Sequence, residues 1–129
     1  MRPQNTCALL ALFLFLLPWC DAAANMTDAS KQEVTHLLDY IGNSECSFIR
    51  NGTTYSGVRA REHILRKYSY IKTSISTTEQ FIRYAASQSS ITKAKYLVCC
   101  DDVTTSTESW LKQELKAYRL SGSSSASQN

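Results

Sequence analysis

Downstream of an amino-terminal apolar run, the hydrophobic positions of this chain switch between helical and strand periodicity. From Asp28 to Ile41, Val34, Leu37, Leu38 and Ile41 follow the i, i+3, i+4, i+7 spacing of one helix face, and Ser30 with Glu33 reads as a capping box at its start. The spacing predicts a helix ending near Gly42. Cys46–Arg50 and Thr53–Tyr55 then flank Asn51-Gly52, a pair suited to the positive backbone angles of a tight hairpin turn. Between Gly57 and about Ser74 a second helical stripe runs through Ala60, Ile64, Tyr68, Ile71 and Ile75, widened by Val58 and Leu65. Ser74–Thr77 interrupts it. Thr77 with Gln80, or Ser76 with Glu79, can cap a third helix that carries Phe81, Ile82, Ala85 and Ala86. After the polar loop Ser87–Ser90, the stretch Lys95–Cys100 is rich in residues that favour strands. Thr105 with Glu108 caps a last helix bearing Trp110, Leu111, Leu115 and Tyr118, and Ser121–Asn129, without a core residue, is expected to be disordered.

The order helix, hairpin, helix, helix, strand, helix predicts an α+β fold, with a small antiparallel sheet (the hairpin plus one later strand) packed against about four helices. The expected organisation is a leader over residues 1–24, a single domain over 25–120 and a polar tail over 121–129. The leader rests on Arg2, the apolar run Cys7–Leu17 and the small residues Ala22-Ala23-Ala24, with cleavage expected near Ala24. That run falls short of the roughly 20 residues a membrane span needs, so the mature chain is expected in the periplasm or outside the cell without a transmembrane span. Trp19 before Cys20, where a lipoprotein box wants a small residue, argues against lipidation.

A chain of 129 residues leaves room for one small domain and excludes multi-domain enzyme architectures. Its 14 Lys+Arg against 11 Asp+Glu give a net charge of +3, which fits neither an acidic disordered chain nor a histone-like polycation. Loss of Arg2 and Asp21 with the leader leaves that charge unchanged, too low for phosphate-driven nucleic-acid binding. Of the five cysteines, Cys46, Cys99 and Cys100 lie beyond the leader, an odd set that permits one bridge and one thiol. Adjacent residues point to opposite faces of a strand. Tyr96, Val98 and Cys100 share a face, as do Cys46, Phe48 and Arg50, which favours Cys46 with Cys100 over Cys46 with Cys99 or a reduced set. No His stands near these cysteines in sequence, and neither a metal site nor a cofactor is expected.

The fragments Ser47-Phe48-Ile49-Arg50-Asn51-Gly52, Ala60 with His63, Lys67, Thr78-Glu79-Gln80-Phe81-Ile82, Ala85, Ser87, Ser89-Ser90, Thr92 and Tyr96 together resemble the YfeK-like family of small exported bacterial proteins, catalogued as domain of unknown function 5329. The resemblance covers roughly Ile41 to Val98. It implies a Gram-negative periplasmic setting and supplies no activity, cofactor or catalytic residue. Lys93 stands where many relatives place Gly, so the turn before the later strand is expected to differ here. The bacterial setting also discounts the glycosylation patterns at Asn25 and Asn51.

Candidate chemistry concentrates on the second helix. Arg59, Glu62, His63, Arg66, Lys67 and Tyr70 are placed opposite the Ala60, Ile64, Tyr68 and Ile71 stripe, and residues 50–72 hold six Lys/Arg against one acid. A face of this kind attracts a negatively charged partner, an unknown protein or an anionic envelope component. Glu62 and Arg66 stand at the i, i+4 spacing of an ordinary surface pair. Arg50 at the hairpin tip can bond across to the Ser87–Ser90 loop or hold a carboxylate or phosphate bidentately. The expected function is a non-enzymatic binding module using Arg50, Arg59, His63, Arg66, Lys67 and Tyr70. The alternatives are a small hydrolase pairing His63 with Ser89 or Ser90, and association with an anionic envelope surface. Asp101-Asp102 is a poor cation site, since adjacent carboxylates diverge on a strand, and reads as the turn into the last helix.

Overall fold

Each helix begins at a hydroxyl that closes its first turn. In the computed structural model, which describes residues 25–126, Thr27 caps α1 (Asp28–Asn43) by accepting from the Ser30 amide, and Ser56 caps α2 (Gly57–Ile71) by accepting from the Arg59 amide. The cap of α1 is therefore Thr27 and not Ser30. Glu33 does not fold back to the helix start but meets Thr78 and Arg119. Thr77 and Gln80 form the capping box of α3 (Thr78–Phe81), as the spacing of these residues predicts. The helix then widens into a π turn over Ile82–Ala86, closed by the Ser87 hydroxyl donating to the Ile82 carbonyl.

The hairpin β1 (Ser47–Arg50) and β2 (Thr53–Tyr55) turns through Asn51 and Gly52, both at positive φ. A second hairpin was not expected. β3 (Leu97–Cys100) turns through Asp101 and Asp102, also at positive φ, into β4 (Val103–Ser106), so the aspartates link two strands and do not enter a helix directly. The fully antiparallel sheet has the order β2-β1-β3-β4, with Phe48 opposite both Tyr55 and Val98. Ser106, not Thr105, then starts α4 (Thr107–Ala126) by accepting from the Ser109 amide.

Residues 121–126, expected to be disordered, continue α4. Their hydroxyls turn back onto the helix: Ser121 donates to the Tyr118 carbonyl and Ser123 and Ser124 to that of Leu120. The leader expected over 1–24 lies outside the described residues, as do 127–129. No helix among the described residues is long and apolar enough to cross a membrane.

The core joins all layers. Leu37 and Ile41 from α1, Phe48 and Val98 from the sheet, Ile64 from α2, Phe81, Ile82 and the alanines of the π turn, and Leu111 and Leu115 from α4 are buried together. Gly57 permits the start of α2 to press on the end of α1, where a Cβ would collide with the Ile41 carbonyl oxygen. Ser47 lies opposite Cys99, which sets Cys46 beside Cys100 across β1 and β3, and these two form the disulfide. Cys99 points to the other sheet face with a free thiol.

Candidate functional site

Alternation along β1 turns Arg50 to the same side as Phe48, toward α2. There Arg50 Nη1 lies 2.6 Å from His63 Nδ1, and Arg50 Nη2 donates to the Tyr55 hydroxyl at 3.1 Å. His63 Nε2 lies 3.1 Å from the Tyr96 hydroxyl, and Lys67 Nζ reaches the same hydroxyl at 3.4 Å and the Gln88 carbonyl oxygen at 2.6 Å. Arg50 Nη1 also lies 2.9 Å from His63 Nε2, and since a guanidinium can only donate, the imidazole beside it accepts as the neutral ring. Arg50 and Lys67 also lie over the rings of Tyr55 and Tyr96, at 4.9 and 5.0 Å from the ring centroids.

The electrostatics agree with a neutral imidazole. Burial, then the charges of Arg50, Lys67 and Arg66, push His63 down to about 4 from its usual 6.5. Lys67 is also lowered, first by burial and then by Lys93 and Arg50. Burial raises the Tyr96 phenol, while the hydrogen bond from Arg50 lowers that of Tyr55. Elsewhere basic groups find carboxylates: Arg61 meets Asp39, Lys112 meets Glu108, and Arg119 bridges Glu33 and Glu79. Among the described residues, no ion pair involves Arg50, Arg59, Arg66 or Lys67. Glu62 does not close on Arg66.

Beside this cluster is a small cavity of about 60 Å³. Phe48, Ala60 and Ile64 give it apolar walls, and Arg50, His63, Arg59 and Arg66 supply its basic groups. Thr107 also lines it. This side chain is fully buried, and its Oγ1 finds no hydrogen-bond partner among the described residues.

The predicted basic face is therefore split. Arg59 and Arg66 are exposed, and Tyr70 is 85% exposed and belongs to neither the cavity nor the cluster. His63 and Lys67 instead turn inward beside Ala60 and Ile64, a correction that the helical step of about 100° explains, since it sets Lys67 within roughly 60° of that stripe. Arg50 does not reach the Ser87–Ser90 loop. Lys67 does so through Gln88, and Asn51 Oδ1 accepts from Thr92 beyond it at 2.9 Å. Among the described residues, no hydrogen bond joins His63 to a serine. Ser89 Oγ accepts from the Ile91 and Thr92 amides, and Ser87 is bonded to Ile82. No three metal-ligating side chains gather among the described residues. Tyr55, Tyr96 and Thr107 are the site residues that the sequence did not single out. The alternation of Tyr96 with Val98 and Cys100 put Tyr96 on a sheet face, whereas nothing local marks Tyr55 or Thr107.

Comparison with known proteins agrees with the resemblance in the sequence. The chain is 33% identical over 91 residues to a Salmonella typhimurium (strain LT2) protein described as uncharacterized protein YfeK, covering 70% of this chain and 72% of the relative. No solved structure matches. A family model described as a family of unknown function, DUF5329, matches residues 28–119, a span that runs from the first residue of α1 to the arginine that ties α4 to Glu33 and Glu79, and the chain belongs to that family.

Proposed function

We propose that this chain is an exported, non-enzymatic binding module that takes an anionic ligand at the Arg50–His63–Lys67 cluster. The observation that carries the reading is the cluster's missing counter-charge: two cations and a neutral imidazole packed together, flanked by Arg59 and Arg66, with no carboxylate paired to any of the cations among the described residues. Such an arrangement holds donors in place around a position where negative charge gains from all of them. The leader-like residues 1–24 and the Cys46–Cys100 disulfide support export.

Catalysis is less well supported. A histidine pushed to about 4 is a weak base at neutral pH, and a general base works best with a pKa near the working pH. Its hydrogen bonds go to Arg50 and Tyr96, so neither Ser89 nor Ser90 gains a base from it. Thermal unfolding with phosphate or sulfate against chloride at fixed ionic strength tests the binding reading. The oxyanions raise the melting temperature of the wild type and not of Arg50→Gln. Equal responses of the two proteins would count against the site. If binding proceeds only on anionic vesicles and fades with salt, the envelope-surface reading takes its place.

A further inference from the structure

The cations set where negative charge gathers, and the cavity beside them sets what that charge is attached to. Buried Phe48, Ala60 and Ile64 wall the cavity, and the surface it offers is mainly apolar. The charged groups stand where it opens: Arg59 and Arg66 are exposed, about two turns apart on α2, and Arg50 reaches in from β1 beside His63. Glu62, between the two arginines in sequence, is exposed and does not line the cavity. Among the described residues no carboxylate pairs with Arg50, Arg59 or Arg66. Water in an apolar recess makes few hydrogen bonds, so hydrocarbon that displaces it binds favourably. Phosphate or sulfate meets only the arginines and leaves the apolar walls uncovered.

Building on the anion-binding reading, we propose that the ligand is a small organic acid free in solution, a carboxylate that carries an apolar group. Its carboxylate lies among Arg50, Arg59 and Arg66, and its apolar group enters the cavity against Phe48, Ala60 and Ile64. Selectivity follows from the two environments lying side by side. An inorganic oxyanion forgoes the apolar contact, and an alkylammonium ion with the same hydrocarbon meets the arginines as a like charge. The apolar surface that accompanies these cations is recessed among buried residues and not displayed on an outer face, which suits a single dissolved molecule and not a bilayer.

Calorimetric titration of the purified chain with acetate, butyrate, butylammonium and phosphate, at pH 7 and fixed ionic strength, tests the assignment. Butyrate is expected to bind about tenfold more tightly than acetate through its two further methylenes, and butylammonium not to bind. Arg59→Gln with Arg66→Gln, both at exposed positions, is expected to weaken butyrate and acetate alike by about tenfold and to keep the preference between them. Ala60→Leu, which enlarges a wall of the cavity, is expected to abolish that preference and to leave phosphate binding unchanged. If acetate and phosphate bind the wild type as tightly as butyrate, the anion site stands and the apolar assignment fails. Butylammonium binding as tightly as butyrate would overturn the pairing of charge with hydrocarbon. Binding to phosphatidylglycerol vesicles with no response to the soluble acids would replace the dissolved ligand with a membrane surface. Should no anion bind in any form, both readings fall.

Discussion

Protonating His63 is the sharpest perturbation that the site offers. In the folded chain the imidazole holds its proton only below about 4, because of burial and the charges of Arg50, Lys67 and Arg66, whereas the unfolded chain takes it up near 6.5. Between these values the unfolded state binds more protons. Stability linked to His63 is therefore fully present above pH 6.5, is lost as pH falls through the window, and levels off below about 4. A displacement of this size corresponds to about 3 kcal/mol, and since the ring is only half-buried, solvent screening leaves about 1–2 kcal/mol. Glu33 and Glu79, both lowered first by hydrogen bonds from Arg119, lose their own contribution mainly below their usual value of 4.5. The window between pH 6.5 and 4.5 thus belongs chiefly to His63, and His63→Gln removes it. Urea unfolding of both proteins at several pH values, with an NMR titration of the His63 ring, measures the difference. An imidazole titrating near 6.5, or parallel loss of stability in the two proteins, would refute the reasoning.

Three further outcomes follow from the packing. The Cys46–Cys100 bridge joins residues 54 apart, so replacing both by Ala in a Cys99→Ala background is expected to lower the unfolding free energy by about 4 kcal/mol on the loop-entropy argument; unchanged urea midpoints would contradict it. Thr107→Val removes a buried hydroxyl without a partner and is expected to stabilise the unliganded chain by about 1 kcal/mol, read by urea unfolding. A loss of stability instead would show that the hydroxyl is already paired. Lys93 sits at φ 61°, so the turn keeps the left-handed backbone that glycine takes without strain, and Lys93→Gly is expected to raise the melting temperature with a gain of about 0.5–1 kcal/mol.

Much of the fold was legible because local signals and tertiary demand coincide. Val34, Leu37, Leu38 and Ile41 mark one face of α1 by spacing alone, and Asn51-Gly52 marks the first hairpin by its backbone angles. The disulfide was legible for a similar reason, since strand alternation separates Cys99 from Cys100 before any partner is known. The second hairpin was not. Asp101-Asp102 lacks the glycine that advertises such a turn, and Val103–Ser106 is as compatible with a helix approach as with an edge strand.

The site divides in the same way. Arg50 was placed by alternation on the face of Cys46 and Phe48, but its partner was not, because the pairing with His63 depends on how α2 crosses the end of β1. The basic residues of α2 were grouped by charge and read as one exposed face, although the helical step already sets Lys67 beside Ala60 and Ile64. Thr107 carried no signal: its hydroxyl is distinctive only because β4 and α4 bury it at the cavity.

Amide and side-chain NMR of the labelled chain during titration with phosphate, at fixed ionic strength and pH 7, tests the anion site most directly. The account predicts saturable shifts confined to Arg50, His63, Lys67, Tyr96 and their immediate neighbours, absent in Arg50→Gln. Shifts that fail to saturate, or that saturate at a surface remote from these residues, would contradict it.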